Sequence, residues 1–137
     1  MAADDPFRRD HHPVPGSPEP LAPGLVVVTA GNAGPMTFTG TRTYLLGDSD
    51  LAVIDPGPDD PAHRQALFAA IGGRRVAAVL VTHAHLDHSA GAAALAAAVG
   101  APVLAHGDAR AARSPTMARL AAAGGLGGGE GFDSGFH

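Results

Sequence analysis

Short apolar runs alternate with clusters of glycine, proline and aspartate along the first half of the chain, and this pattern predicts strands joined by turns. Residues 25–29 are apolar and β-branched and predict a strand. Residues 41–46 and 51–54 predict a hairpin around a tight turn at 47–50. The Asp-Pro-Gly-Pro segment at 55–58 ends the hairpin, because proline cannot donate to a sheet and glycine permits a reversal.

The second half of the chain predicts helices between buried strands. A helix is expected over residues 61–71, with Asp59 or Asp60 as its N-cap and the glycine pair at 72–73 as its end. The continuous apolar run at 76–81 is typical of a strand buried on both faces.

The segment after this strand predicts a loop at 82–88, an alanine-rich helix over 89–99 and a short strand at 101–105. This order implies a right-handed parallel crossover. A further short helix is expected near 107–113. The pattern as a whole predicts an α/β fold.

The chain divides into three segments by composition. Residues 1–24 are rich in proline and charge and predict a disordered lead-in, whereas residues 25–123 predict one domain. Residues 124–137 are dominated by glycine and predict a loop. Because domains seldom end inside such a loop, we expect the domain to be incomplete.

Composition excludes several classes of protein. The 137 residues contain no cysteine, which removes thiol nucleophiles and Cys-type zinc sites. Nine basic against thirteen acidic residues give a net charge of −4 without a basic stripe, so a nucleic-acid partner is not favoured. The sequence shows neither a secretory signal nor an apolar run long enough for a membrane span, and a cytoplasmic location follows by default.

One short segment carries the chemistry. His83, His85, Asp87 and His88 lie within six positions directly after the predicted strand at 76–81. Imidazole and carboxylate ligands suit Zn²⁺, although iron or manganese would also be compatible. His83 and His85 can turn to the same side and share one ion, while His88 can serve a second. The alternative is that these histidines only cap the following helix and form local hydrogen bonds.

Four other histidines are not predicted to be ligands. His11 and His12 lie in the lead-in, His106 follows the last predicted strand, and His137 ends the glycine-rich segment. Solvated or hydrogen-bonding roles are expected for them.

The run Thr-His-Ala-His-Leu-Asp-His-Ser-Ala-Gly at 82–91 resembles the signature of the metallo-β-lactamase-fold hydrolases. The segments at 32–47 and 52–57 are similar to the opening hairpin of the glyoxalase II-like branch, close to the β-lactamase-like protein 2 group. The resemblance covers about residues 25–115. It implies the N-terminal half of an αββα sandwich and a zinc-dependent hydrolase.

The resemblance also implies roles for individual residues. His83 and His85 would bind the first of two zinc ions, and Asp87 and His88 the second. Asp87 would also orient the nucleophilic hydroxide and is the catalytic residue. Asp55 would support the ligands without binding metal, and a simple turn-forming role is an equally weighted alternative.

The family completes its site with later histidine and aspartate segments that have no counterpart in this chain. We therefore expect the N-terminal portion of a hydrolase of small-molecule thioesters, esters or phosphodiesters, with weak zinc binding and little activity by itself. One sheet face should lack its cover.

Three alternatives stay open: an endoribonuclease as a variant of the full-length enzyme, a non-catalytic interaction module that pairs with another copy, and a truncated product without function. The oligomeric state is not predicted.

Overall fold

The computed structural model describes residues 9–108, 110–111 and 113–124. The strands are β1 Pro18–Ala22, β2 Leu25–Thr29, β3 Arg42–Gly47, β4 Asp50–Ile54, β5 Arg75–Val81 and β6 Val103–Ala105. The helices are α1 Pro61–Ile71, α2 Leu86–Ser89, α3 Ala92–Val99 and α4 Pro115–Ala122. None of the helices in this part of the chain has the length and apolar character that crossing a membrane requires.

Within the described residues, the strands form one mixed sheet in the order in which they occur in the chain. Strands β1 to β4 are antiparallel, whereas β4, β5 and β6 run parallel. The predicted hairpin of β3 and β4 and the predicted parallel crossover from β5 to β6 are therefore confirmed. Because β4 and β5 are parallel neighbours, the residues that follow them lie at the same edge of the sheet.

Strand β1 lies inside the predicted disordered lead-in, and that prediction is wrong for Pro18–Ala22. Pro18 pairs with Val28 and Pro20 with Val26 of β2. The prolines suggested an unpaired segment, but β1 is an edge strand, where a missing N–H group need not leave a partner unsatisfied. Residues 1–8 of the lead-in lie outside the described residues.

Helix α1 confirms the predicted helix over residues 61–71 at both ends. The Asp60 side chain accepts a hydrogen bond from Ala62 N at 2.9 Å, which satisfies a donor of the first turn. Gly72 adopts the left-handed conformation, and its N–H donates to the Phe68 carbonyl at 3.0 Å. Of the two predicted caps, Asp60 is the one used.

The predicted helix over residues 89–99 begins later, as α3 at Ala92, and a separate short helix, α2, forms largely inside the predicted loop at 82–88. The chain turns between them at Gly91, whose N–H donates to the Gly57 carbonyl at 3.0 Å. This hydrogen bond therefore joins the start of α3 to the loop after β4. The tertiary contact replaces a hydrogen bond that a continuous helix would have made.

The predicted helix near residues 107–113 is wrong for the described part of that segment. The Asp108 side chain accepts from the backbone N atoms of Arg110 and Ala111 and stabilises a turn. The helix begins later, at Pro115, with Ser114 as its N-cap. Residues 109 and 112 lie outside the described residues, as do residues 125–137 of the predicted glycine-rich loop.

The core lies between the sheet and helices α1 and α3. Its larger members come from both layers: Val28, Leu45, Leu51, Val53, Val76, Val79, Val81, Leu67, Ile71 and Leu95. The predicted α/β fold is thereby confirmed as one helical layer on one sheet, which is half of an αββα sandwich.

The other side of the sheet, here called the open face, presents Tyr44, Leu46, Ile54, Leu80 and Leu104. Leu46 is 49% and Leu104 51% exposed. Strand β5 is accordingly buried on the helical face only, and the prediction that both of its faces are buried is wrong. On this face Leu46 and Leu104 are about half exposed, whereas Val27, which pairs with Tyr44, is buried.

Candidate metal centre

The predicted ligands lie at one edge of the sheet, where two parallel strands end. Asp55 directly follows β4, and its backbone N–H donates to the Leu80 carbonyl of β5 at 2.8 Å. The His83-to-His88 segment follows β5 and continues into α2. The sheet thus brings together two chain segments that are about thirty residues apart.

The three histidines of the motif form one cluster. The His83 ring centroid lies 4.2 Å from that of His88 and 4.8 Å from that of His85. His85 is the N-cap residue of α2, and its side chain makes no cap hydrogen bond. The alternative in which the histidines serve as helix caps is therefore not observed at His85.

The Asp55 carboxylate is buried and accepts three hydrogen bonds. The donors are Thr82 N at 2.8 Å, Thr82 Oγ1 at 2.7 Å and His88 Nδ1 at 3.0 Å. An ionised carboxylate only accepts, so His88 donates from Nδ1, and in the neutral ring its Nε2 is then the atom that can bind a metal. Asp55 both forms the turn, with φ of 53°, and orients His88.

The same reasoning fixes the tautomer of His83. Its Nδ1 lies 2.9 Å from Thr82 Oγ1, and that hydroxyl already donates its single proton to Asp55. His83 Nδ1 must therefore donate, and its Nε2 is left free. Desolvation by the surrounding protein lowers the pKa of His83, and the neighbouring imidazoles of His88 and His85 lower it further, while Asp55 and Asp87 oppose them. The neutral ring that binds metal is thus favoured.

Asp87 is held on the other side of the cluster. Its Oδ2 accepts from Thr41 Oγ1 at 3.1 Å and lies 3.3 Å from His88 Nε2. With His88 protonated on Nδ1, that contact joins two acceptor atoms, an arrangement that a cation between them would stabilise. Thr41 is itself fixed by the Asn32 side chain, which donates to Thr41 Oγ1 and accepts from Thr41 N.

Within the described residues, Asp55, His83 and His88 form a group that could hold a metal ion. Each offers one ligand atom, and these atoms all lie within 4.8 Å of one another. The group includes two of the four predicted ligands and adds Asp55, but does not include His85 or Asp87. The donor chemistry of the whole cluster, imidazole nitrogens and carboxylate oxygens, nevertheless fits a divalent cation such as zinc.

A cleft of about 380 Å³ opens beside Asp87 and His88. Its remaining lining comes from β3 and the segment before it: Met36, Thr37, Phe38, Thr39, Gly40, Thr41, Arg42 and Tyr44. Met36 is 95% and Phe38 52% exposed, so apolar surface is available where a ligand would enter.

His11 and His106, which were not expected to bind metal, are not part of the group of possible ligands found among the described residues. His11 contacts Glu19 at 3.1 Å and Arg42 at 3.1 Å, and His106 is exposed after β6. His137 lies outside the described residues. Asn32, Thr41 and Thr82 were missed as site residues, because no sequence pattern connects an isolated amide or hydroxyl to a distant carboxylate.

The sequence model of the Metallo-beta-lactamase superfamily matches residues 36–134. The chain belongs to this superfamily. The match includes the metal-site motif and most of the described domain, and it confirms the resemblance seen in the motif. Superfamily members typically bind metal, in agreement with the cluster at this edge of the sheet.

Two proteins with sequences similar to this chain carry the names of hydrolytic enzymes. A hydroxyacylglutathione hydrolase of Anaeromyxobacter dehalogenans is 48% identical over 66 residues, which cover 47% of this chain and 25% of that protein. An atrochrysone carboxyl ACP thioesterase of Aspergillus fumigatus is 39% identical over 84 residues, which cover 57% of this chain and 26% of that protein. The chain therefore spans about a quarter of the length of these relatives.

Two solved structures of the superfamily show the same fold. A HARLDQ-motif mutant of a metallo-beta-lactamase from Cronobacter sakazakii aligns with a TM-score of 0.52 and 30% identity, covering 84% of this chain and 40% of that chain. A beta-lactamase domain protein from Burkholderia ambifaria aligns with a TM-score of 0.54 and 25% identity, covering 71% and 32%. The predicted metallo-β-lactamase fold is confirmed over the matched part.

Proposed function

We propose that the chain carries the N-terminal part of a metal-dependent hydrolase of small-molecule thioesters or esters. The observation that carries this proposal is the cluster of three imidazoles between two oriented carboxylates, Asp55 and Asp87, beside an open cleft. Relatives named for a hydroxyacylglutathione and for an ACP thioester support the thioester class.

Zinc is the proposed metal, since neutral imidazole and carboxylate are its usual ligands where cysteine is absent. We assign His83 and His85 to a first ion and Asp87 and His88 to a second. Asp55 would hold His88 in the tautomer that leaves Nε2 free. Iron and manganese accept the same donors and are the alternatives.

The metal would supply Lewis-acid polarisation of the scissile carbonyl and activation of a water molecule. Asp87 borders the cleft with Oδ2 held by Thr41, so its carboxylate can accept a hydrogen bond from that water and orient it. The exposed side chains of Met36 and Phe38 can contact the apolar part of a substrate. Hydrolysis then adds water across the acyl–sulfur or acyl–oxygen bond and releases an acid and a thiol or alcohol.

Further ligands would have to come from outside the described residues. Two protein ligands per ion is fewer than the three that catalytic zinc sites keep, so the chain alone should bind zinc weakly and turn over little substrate. A cytoplasmic location stays part of this proposal.

The test is zinc binding by the purified chain, measured by competition with a chromophoric chelator. We expect binding that is lost in the His83→Ala/His88→Ala double variant and retained in His12→Ala, which removes an exposed imidazole in the segment before β1. Hydrolysis of an acyl-glutathione thioester by the longer enzyme should stop with EDTA and with Asp87→Ala. Zinc binding that survives the double variant, or hydrolysis that is indifferent to EDTA, would overturn the proposal.

A further inference from the structure

A buried histidine lies beneath the metal cluster and has no role in the site as described so far. His63 is in α1, is 3% exposed and packs within the core side of the sheet. Histidine is an unusual choice there, because a buried ring nitrogen without a partner disfavours folding relative to an apolar residue of similar volume. Its Nδ1 is such an atom among the described residues.

The other ring nitrogen of His63 begins a hydrogen-bond chain that leads to the metal cluster. His63 Nε2 lies 2.8 Å from Thr43 Oγ1, and Thr43 Oγ1 lies 2.7 Å from the carbonyl oxygen of Asp55. The carbonyl can only accept, so the threonine hydroxyl donates to it. The hydroxyl must then accept from His63, whose proton is therefore on Nε2.

The Asp55 carbonyl belongs to a backbone turn that needs support. Asp55 has a φ of 53°, in the left-handed region that residues with a side chain seldom adopt. Its peptide must keep this conformation for the carboxylate to reach both Thr82 and His88. The hydrogen bond from Thr43 holds the carbonyl from the core side.

His63 also supports the turn by direct contact. A Cβ atom at Gly57 would lie 2.9 Å from Cδ2 and Nε2 of the His63 ring, so the ring lies directly against the backbone of Gly57. The Gly57 N–H donates to the His88 carbonyl at 3.1 Å. The ring thus contacts a backbone segment that is hydrogen-bonded to the ligand loop.

We propose that His63 is a positioning residue for the metal centre, which acts through Thr43 to hold the Asp55 turn and thereby the ring of His88. The inference rests on the proposed function in that it assigns His88 to a metal. His63 itself does not touch the cleft or the ligand atoms. Its effect reaches them through one hydroxyl and one backbone carbonyl.

The first measurement is zinc affinity, by chelator competition, together with the free energy of unfolding in urea. His63→Leu keeps the volume, loses the donor and removes the unpartnered nitrogen. We expect its stability to stay the same or rise while its zinc affinity falls about tenfold or more. His63→Gln can still donate from Nε2 to Thr43 and should retain most of the affinity.

Thr43→Val gives an independent check, because it removes the hydroxyl and keeps the shape. Its loss of zinc affinity should match that of His63→Leu, and the double variant should lose no more than either single one. Leu67→Ala is the matched control, since it damages the same helix and core one turn away. It should lose stability and keep its zinc affinity while folded.

A second measurement separates this proposal from the proposed function. In the metal-free chain, ¹⁵N spectra of labelled histidine should show His88 with its proton on Nδ1, and a mixture of tautomers in His63→Leu. If the wild-type chain binds no zinc but His63→Leu still shows this tautomer change, the hydrolase assignment fails and the positioning role is supported. Unchanged His88 tautomer and unchanged zinc affinity in His63→Leu would overturn the positioning role.

Discussion

The Oδ2 atom of Asp55 lies 3.0 Å from Nδ1 of His88, although 33 positions separate the two residues in the chain. The same carboxylate accepts from the backbone and the hydroxyl of Thr82. It therefore connects the end of β4 to the loop that follows β5. The orientation of His88 depends on this one buried side chain.

Asp55→Asn should weaken zinc binding about 10–100-fold, the range seen when a residue that orients a ligand is removed. An amide offers one acceptor and one donor atom, so it cannot accept from Thr82 N, Thr82 Oγ1 and His88 Nδ1 in the present geometry. Chelator competition measures the affinity.

Asp59→Asn is the matched control for that change. Asp59 is an exposed carboxylate that pairs with Arg64 at 2.7 Å and is not part of the group of possible ligands among the described residues. We expect its zinc affinity to stay within about twofold of wild type, because surface ion pairs contribute little. Equal losses in Asp55→Asn and Asp59→Asn would show that a general charge effect is responsible.

Thr41→Val should loosen Asp87 without unfolding the chain. The variant removes the hydroxyl that donates to Asp87 Oδ2 and keeps the side-chain shape. One such hydrogen bond contributes about 1 kcal/mol, which corresponds to roughly fivefold in affinity. Zinc titrations should show this loss for one of the two equivalents only. Thr39→Val, in the same cleft, should leave both equivalents unchanged; an equal loss for both equivalents in Thr41→Val would contradict the assignment of Asp87 to one ion.

The stability of the metal-free chain should fall in mild acid. Burial lowers the pKa of His63 below its usual value of about 6.5, with Asp60 opposing the shift. The unfolded chain then binds more protons than the folded one, so the free energy of unfolding rises with pH. The stability that depends on neutral His63 is fully present above about pH 6.5. It is lost as the pH falls through the lower pKa that His63 has in the folded chain.

Urea unfolding at a series of pH values between about 5 and 7.5 tests this dependence. The slope of the free energy of unfolding against pH should decrease in His63→Leu, because leucine has no group that titrates in this range. Leu67→Ala should lower the stability at every pH by a similar amount and leave the slope intact. An unchanged slope in His63→Leu would assign the acid sensitivity to other groups, among which His83 has a pKa shifted in the same direction.

Gly91→Ala should destabilise the fold by about 1–3 kcal/mol, the usual effect of overpacking. A Cβ atom at Gly91 would lie 3.0 Å from the Pro58 carbonyl oxygen and 3.2 Å from that of Gly57. The start of α3 would have to move away from the loop after β4. Gly31→Ala is the control, since its Cβ would meet only Pro15 at an ordinary 3.8 Å. Urea unfolding of the two variants gives the comparison, and equal stability would refute the close packing at Gly91.

The open face should bind a fluorescent dye specific for exposed apolar surface. Leu46 and Leu104 are about half exposed on it, and Tyr44, Ile54 and Leu80 form a continuous row with Leu104. The Leu46→Lys/Leu104→Lys variant should reduce dye binding severalfold. Met117→Lys, which changes an exposed apolar residue of α4, should not; a similar reduction in both would place the dye outside the open face.

Local patterns predicted the elements that depend on neighbouring residues. The ends of α1 follow from Asp60, Pro61 and Gly72, whose effects act within one helical turn. The parallel order of β5 and β6 follows from the helices between them. Errors occurred where a tertiary contact redirected the backbone, as at Gly91, or where an edge position tolerated proline, as in β1.

The donor chemistry of the site follows from local sequence, because His83, His85, Asp87 and His88 lie within six positions and their donor types are fixed by their identity. The same local motif was sufficient to indicate the superfamily. The orientation of these donors depends instead on contacts between distant parts of the chain. The contacts of Asp55 with His88, of Thr41 with Asp87 and of His63 with Thr43 span 33, 46 and 20 positions. Contacts of this kind depend on the register of the sheet and on the packing of α1 against it, which local periodicity does not specify.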